Sequence, residues 1–171
     1  PYLIECHRGP IAIGHNGNLV NAAILRQELE AAGSIFQSTS DTEVILHLYA
    51  RSHRERLEDA IAASLYKVMG AFSLLFLTRD ALVAARDPWG FRPLVLGKLN
   101  GATVVASETC ALDHIGSTMI REVNSGEVVT IDAGGPRSYQ AAEPQRQALC
   151  VFEYIYFARP DSIMCNRLLY R

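Results

Sequence analysis

The hydrophobic positions in the first part of the chain predict a strand followed by a helix. Residues 10–15 form a short apolar run typical of a buried strand, and the Asn16-Gly17 pair behind it is typical of a two-residue turn. Residues 19–32 then carry apolar positions at helical spacing and end at Gly33, which predicts a helix with a glycine stop.

Two patterns typical of helix starts follow. Residues 40–43 (Ser-Asp-Thr-Glu) have the form of a capping box and precede an apolar run. Residues 52–55 (Ser-His-Arg-Glu) repeat that form, and the apolar residues behind them lie four, four and three positions apart: Leu57, Ile61, Leu65 and Val68. We therefore expect two further helices, the second amphipathic and ending near Gly70.

The second half of the chain has the pattern of a strand meander. Short apolar, partly β-branched segments alternate with turn clusters, and they predict strands at 71–77, 81–85, 93–97, 103–106 and 127–131. The Gly- and Pro-rich stretch 133–144 predicts a loop. Helices followed by consecutive antiparallel strands indicate an α+β domain with helices packed on a sheet.

Composition and charge narrow the class of protein. The 171 residues, 49% of them hydrophobic, suffice for one domain or a large piece of one. The net charge of −2 gives no electrostatic reason to expect nucleic acid or an anionic membrane as a partner. The longest apolar runs fall far short of the roughly 20 residues of a membrane helix. We expect a cytoplasmic protein without membrane or nucleic-acid partners.

The cysteines and histidines show no metal-site spacing. The four cysteines, Cys6, Cys110, Cys150 and Cys165, are scattered, which is typical of buried thiols and of neither a zinc site nor a disulfide framework. The five histidines lack the paired spacing of metal ligands, and each is interpreted as structural or exposed: His7, His15, His47, His53 and His114.

Two short motifs have both a structural and a chemical interpretation. Asn16-Gly17 is a turn on physical grounds, but an Asn side-chain amide and an adjacent Gly N–H also form the donor pair of an oxyanion hole. Asp41 is either an acid favoured at a helix start or a carboxylate that receives the ammonium of an amino-acid ligand. Residues 86–93 are interpreted as a turn held by an Arg–Asp pair. The residues alone favour the structural interpretation in each case.

Several blocks taken together resemble a known family. The sequence resembles the class II, N-terminal-nucleophile glutamine amidotransferases in blocks at residues 7–10, 14–21, 38–43, 85–94 and 106–112. The Phe-Glu-Tyr-Ile-Tyr-Phe-Ala-Arg-Pro-Asp-Ser run at 152–162 is similar to one branch of that family, whose members also carry a phosphoribosyltransferase domain.

The resemblance implies a fold and a set of site residues. The expected fold is a four-layer α-β-β-α N-terminal-nucleophile hydrolase fold, with a type 2 amidotransferase domain at 1–149 and a junction toward a phosphoribosyltransferase domain at 150–171. By position, Asn16 and Gly17 match the oxyanion hole and Asp41 matches the acid that holds the glutamine ammonium. The resemblance thus reverses the preference for plain turn and helix start.

The resemblance also implies a reaction and its partners. An N-terminal cysteine hydrolyses glutamine, and the ammonia reacts with phosphoribosyl pyrophosphate to give 5-phosphoribosylamine for purine synthesis. This sequence opens with Pro1, so we expect a domain incomplete at its N-terminus and a fragment that is inactive alone. Cys150 matches one ligand of the 4Fe-4S cluster in one branch, Mg²⁺ belongs to the phosphoribosyltransferase domain, and the complete protein is expected to be a homo-oligomer.

Two other interpretations of the chain stay open. One is another class II amidotransferase, such as a sugar-isomerising or asparagine-forming enzyme, although the run at 152–162 argues against it. The other is a non-catalytic relative that serves as an interaction or regulatory module.

Overall fold

The computed structural model describes residues 1–164 and 167–169. Cys165, interpreted above as a buried thiol, lies outside these residues, as do positions 166, 170 and 171 of the expected junction. Within the described part, no helix is long and apolar enough to cross a membrane.

The described residues form antiparallel strands and short helices in the following order: β1 (Tyr2–Cys6), β2 (Gly9–Leu19), α1 (Ala22–Ala31), α2 (Thr42–Ala50), α3 (Leu57–Leu65), β3 (Gly70–Leu77), β4 (Leu82–Arg86), β5 (Val95–Leu99), β6 (Ala102–Ala106), α4 (Thr109–His114), β7 (Thr118–Glu122), β8 (Glu127–Asp132), β9 (Gly135–Gln140), a π-helical turn (Glu153–Phe157), β10 (Ile163–Met164) and β11 (Arg167–Leu168).

The larger of the two main sheets has six strands in the order β1-β2-β3-β4-β8-β9. The central strands β3, β4 and β8 are mostly buried and covered on both faces, so their sequences are largely apolar, whereas the edge strands β1 and β9 are largely exposed. In β3, Leu74 and Phe76 pack in the core formed with α1, α2 and α3, whereas Leu75 between them packs against the other sheet. This alternation is the period of two that a pleated strand imposes.

The smaller sheet, in the order β6-β5-β7, packs on the opposite face of the larger one. Leu96 of β5 shares an apolar cluster with Ala84 and Val129 of the larger sheet. On its outer side α4 inserts the fully buried Leu112 over Gly97, where a Cβ atom would lie 2.9 Å from the leucine side chain. The layers therefore run helix, sheet, sheet, helix, which confirms the expected α-β-β-α fold.

The predicted turn at Asn16-Gly17 is wrong, because β2 runs straight through it. Gly17 pairs with Phe72 in an antiparallel ladder with β3 that continues to Leu19. The chain instead reverses between β1 and β2, after Cys6. The extended pairing with β3 outweighs the local turn preference of Asn-Gly.

The predicted loop at 133–144 is also partly wrong, because it contains β9. This edge strand pairs with β8 from Glu127↔Gln140 to Asp132↔Gly135. It has only one half-buried large side chain, Tyr139, and therefore lacks the apolar alternation on which sequence reasoning depends.

Helix α3 starts later and ends earlier than the sequence pattern predicts. It begins at Leu57 and ends at Leu65, whereas the predicted helix starts behind the pattern at 52–55 and ends near Gly70. The Arg8 side chain donates hydrogen bonds to the carbonyls of Arg54 and Glu55, which holds that stretch outside the helix. A tertiary contact thus decides the helix boundary.

Candidate functional site

The end of β2 presents its side chains to two different layers. Ile11 and Ile13 face the helices, and His15, two positions further, also lies on that face against Thr42 of α2. Asn16, one position on, belongs to the opposite face and lines a cavity of about 190 Å³. The end of β2 therefore presents one side chain to the helix layer and the next to the opposite face of the sheet.

The cavity beside Asn16 is small and polar. Its lining consists of Asn16, Arg92, Pro93, Ser107, Glu108, Glu153 and Phe157. Asn16 is exposed, and its amide makes no hydrogen bond to any of the described residues. Its two N–H groups are therefore available as donors to a ligand oxygen.

Gly17 lies where no other residue fits. Its φ is +153°, and a Cβ atom there would lie 2.0 Å from the Ala71 carbonyl oxygen and 2.9 Å from His15 Nε2. The missing side chain makes room for the Ala71 carbonyl and the His15 ring, and Gly17 is itself exposed, so a ligand can reach its backbone.

Asp41 is joined to the end of β2 by its carboxylate. Its Oδ2 accepts the Leu19 N–H at 2.8 Å, and Thr42 Oγ1 donates to its Oδ1 at 3.3 Å. The side chain is 26% exposed, so it is held by the protein and still reaches solvent. The structure thus brings Asp41 to the strand end that carries Asn16 and Gly17, although 25 positions separate residues 16 and 41 in the sequence.

The capping box predicted at 40–43 is not formed in the expected way. The Ser40 hydroxyl accepts the Thr42 N–H at 3.3 Å, and Asp41 is the N-cap of α2 without a side-chain cap bond. Glu43 reaches further back, because its carboxylate accepts the N–H groups of Gln37 and Ser38 at 2.7 and 2.9 Å and the Ser38 hydroxyl at 2.7 Å.

These hydrogen bonds affect the titration of Glu43. Burial would raise the pKa of Glu43, but the donors of Gln37 and Ser38 and the neighbouring His47 outweigh it, so the pKa lies below its ordinary value. The ionised carboxylate therefore fastens the loop that leads into Asp41.

His15 is a site residue that sequence reasoning missed. Its side chain is only 4% exposed, and its Nδ1 lies 3.0 Å from Thr42 Oγ1. Burial lowers the pKa of His15, and Asp41 and the Ala71 carbonyl offset this only in part, so the ring is neutral at pH 7. The signal in the sequence was a polar residue at the inward position that follows Ile11 and Ile13.

Arg92 and Glu153 form an ion pair beside the cavity that the sequence analysis also did not predict. They are joined at 2.5 Å, Glu153 is 3% exposed, and the Arg92 guanidinium lies 5.0 Å from the centre of the Phe157 ring. Residues that lie 61 positions apart thus share one wall of the cavity beside Asn16.

Hydrogen bonds between the side chains of Arg86 and Asp87 and main-chain groups fix the loop that carries Arg92. Asp87 accepts the N–H groups of Phe72, Trp89 and Phe91, and the buried Arg86 donates to three carbonyls, those of Gly90, Arg92 and Val123. The predicted turn is therefore present, and Arg86 and Asp87 hold it chiefly through main-chain groups, while Arg86 also contacts the Glu122 carboxylate at 3.5 Å.

Cys150 contacts this loop from a segment much later in the chain. Its N–H donates to the Phe91 carbonyl at 3.3 Å, and its thiol is half-buried and free. The described residues contain no group of three or more His, Cys, Asp or Glu side chains that could hold a metal. A single thiolate does not hold a cluster, so these residues do not by themselves fit one.

Comparison with known proteins identifies relatives over nearly the whole chain. Residues 3–114 match the family model described as "Glutamine amidotransferase domain". An amidophosphoribosyltransferase of Rhizobium etli is 49% identical over 175 aligned residues, which cover 99% of this chain and 35% of the relative. The amidophosphoribosyltransferase of Bacillus subtilis is 48% identical over 156 residues, covering 91% of this chain and 33% of the relative.

A solved structure agrees with these matches. The glutamine phosphoribosylpyrophosphate amidotransferase of B. subtilis, complexed with ADP and GMP, superimposes with a TM-score of 0.95 at 45% identity. The match covers 99% of this chain and 37% of the solved chain. The chain thus spans about a third of the length of the relatives it matches.

Proposed function

The chain belongs to the glutamine amidotransferase family, and we propose that it is the glutaminase portion of an amidophosphoribosyltransferase. In this proposal it releases ammonia from glutamine, and the ammonia converts phosphoribosyl pyrophosphate to 5-phosphoribosylamine and pyrophosphate. The observation that carries the proposal is the convergence of Asn16, Gly17 and Asp41 at one strand end.

Each of these residues has a defined role in the proposal. A cysteine thiolate attacks the glutamine amide carbon, and the carbonyl oxygen becomes an oxyanion. The unpaired amide of Asn16 and the open backbone N–H of Gly17 donate to that oxygen, and such preorganised donors stabilise the transition state. The carbon–nitrogen bond of the intermediate then breaks, and the nitrogen leaves as ammonia with the proton that the thiol had passed to the cysteine's own α-amino group. Water hydrolyses the remaining thioester, which releases glutamate and restores the thiol. Asp41 holds the glutamine ammonium through its partly exposed carboxylate.

The test compares two nitrogen sources in the full gene product that contains this segment. With glutamine, N16A is expected to lower kcat by about 10²- to 10³-fold, the usual effect of removing one oxyanion donor. D41N is expected to raise the KM for glutamine, because the ammonium loses its counter-ion. With added ammonia both variants should form 5-phosphoribosylamine at the wild-type rate.

Asn124 provides a matched control. It is an exposed asparagine outside the cavity, and N124A should leave both activities unchanged. Normal glutamine-dependent activity in N16A would contradict the assignment of the oxyanion hole. Glutamine hydrolysis without consumption of phosphoribosyl pyrophosphate would indicate another class II amidotransferase, and the absence of both would indicate a non-catalytic module.

The remaining partners follow from the same proposal. Phosphoribosyl pyrophosphate and Mg²⁺ bind in a phosphoribosyltransferase part that these 171 residues do not include, and the complete protein is a cytoplasmic homo-oligomer. Cys150 contributes one thiolate to a 4Fe-4S cluster whose other ligands lie outside the described residues. Iron content and visible absorbance of the anaerobically purified gene product test this, since C150S should lose both and C110S neither.

A further inference from the structure

A continuous chain of contacts runs from the interior of the domain to the carboxylate of Asp41. His15 Nδ1 lies 3.0 Å from Thr42 Oγ1, and Thr42 Oγ1 lies 3.3 Å from Asp41 Oδ1. His15 Nδ1 itself is 3.7 Å from that carboxylate oxygen. The ring and the hydroxyl are both buried, whereas the carboxylate reaches solvent.

The chemistry of the groups fixes the direction of these hydrogen bonds. An ionised carboxylate only accepts, so the Thr42 hydroxyl must donate to Asp41. Thr42 Oγ1 then accepts from His15, which requires the neutral ring to carry its proton on Nδ1. The neutral state agrees with the lowered pKa that burial gives His15.

The two oxygens of Asp41 are therefore held by different elements. Leu19 of β2 fixes Oδ2 through its backbone N–H, and Thr42, supported by His15, fixes Oδ1. Free rotation about the Cβ–Cγ bond of Asp41 is blocked, and the remaining lone pairs have a defined direction.

We propose that His15 is a positioning residue, which acts through Thr42 to orient the Asp41 carboxylate toward the α-ammonium of glutamine. This inference rests on the proposed function, because it assumes that Asp41 receives the ammonium. The imidazole supplies a rigid, buried donor at an inward position of β2 where an apolar side chain would pack equally well but would leave Thr42 without support.

The burial of the His15 ring is not explained by hydrophobic packing alone. His15 Nε2 is buried and makes no hydrogen bond to the described residues, so the polar ring carries a desolvation cost at this nitrogen. Within the described residues, the contacts of Nδ1 with Thr42 and Asp41 and the neighbouring Ala71 carbonyl offset part of the cost of burying the ring.

The experiment measures glutamine hydrolysis by the full gene product with four variants. H15F removes both ring nitrogens and keeps a planar ring, whereas H15N retains a donor near the position of Nδ1. T42V removes the hydroxyl at nearly constant volume, and T42S keeps it. We expect H15F and T42V each to raise the KM for glutamine about tenfold, the usual scale of one lost hydrogen bond to a charged group, with kcat within about threefold of wild type.

Three further results are expected if His15 and Thr42 act as one unit. H15N and T42S should return the KM to within about threefold of wild type, and the double variant H15F/T42V should be no worse than either single one. With 4-carbamoylbutanoate, which lacks the α-ammonium, the variants and the wild type should hydrolyse the amide at equal rates.

Other outcomes overturn the inference in distinguishable ways. Loss of kcat in H15F at unchanged KM would place His15 in the chemical step. An equal loss with 4-carbamoylbutanoate, or additive effects in the double variant, would show a purely structural role. D41N is run alongside, and if it leaves the KM for glutamine unchanged while N16A has lost activity, the role of Asp41 fails but the proposed glutaminase function stands. If N16A is also unchanged, the proposed function itself fails.

Discussion

The carboxylate of Glu43 makes a quantitative prediction about stability. It is 6% exposed and accepts three hydrogen bonds, two from the N–H groups of Gln37 and Ser38 and one from the Ser38 hydroxyl. E43Q has nearly the same shape but offers one acceptor oxygen and an NH₂ group. That NH₂ group must face a donor, so at least one partly buried N–H or O–H of residues 37–38 loses its partner.

The size of the effect follows from these bonds. An unsatisfied buried donor costs about 1–3 kcal/mol, and each bond that is kept weakens when its acceptor becomes neutral. We expect E43Q to lower the free energy of unfolding by about 2–4 kcal/mol. For a domain of this size that corresponds to a fall in Tm of roughly 5–15 °C. The assay is thermal unfolding followed by circular dichroism, with E28Q as control, because Glu28 is exposed on α1 and has no side-chain partner among the described residues.

The pH dependence provides a second check on Glu43. The folded-state pKa of Glu43 lies below the ordinary value of 4.5, so its stabilisation is complete above that pH and is lost as the pH falls through the folded pKa. The gap in Tm between wild type and E43Q should therefore be full near about pH 7 and should narrow as the pH falls below 4.5. A fall in Tm below about 1 °C, or a gap independent of pH, would refute the reasoning.

Three other substitutions test other parts of the site. G17A should lower the glutamine-dependent kcat about 100-fold, with ammonia-dependent activity retained, because its Cβ displaces the Ala71 carbonyl. R86K should lower the free energy of unfolding by about 2–4 kcal/mol in urea, because a lysine cannot reach all three carbonyls that the guanidinium serves; a change under about 0.5 kcal/mol would contradict this. R92M leaves buried Glu153 without its ion pair, and hydrogen exchange at residues 150–158 should accelerate at least about tenfold, equivalent to about 1.4 kcal/mol. Unchanged exchange there would show that the pair does not hold this segment.

Five strands of the second half could be predicted because their evidence is local, whereas β7 and β9, which contain no buried residue, could not. The sequence of β3, for example, is an apolar run bounded by turn residues. Such a run predicts a strand buried on both faces whichever strands lie beside it. The start of α3 and the course of β2 through Asn16-Gly17 could not be predicted in this way. Arg8 decides the former and β3 the latter, and both act across the fold.

The candidate site shows the same limit. The residues alone favoured a turn for Asn16-Gly17 and a helix start for Asp41, and only the resemblance to a family suggested other roles. The bond between Asp41 and the Leu19 N–H exists because α2 packs against the end of β2, which no spacing in the sequence expresses. Sequence reasoning also treated His15 as ordinary, since its importance depends on Thr42, 27 positions later.

Side chains along β2 point alternately to the two faces of the sheet, so an insertion or deletion within this strand would disrupt the site. His15 and Asn16 face opposite layers only because they are neighbours in a pleated strand. Inserting or deleting one residue between Ile13 and His15 would exchange the two faces and place an imidazole in the cavity and an amide against α2. Length variation should therefore be absent from this strand in functional homologues and should concentrate at turns such as Asn100-Gly101, where left-handed backbone already reverses the chain.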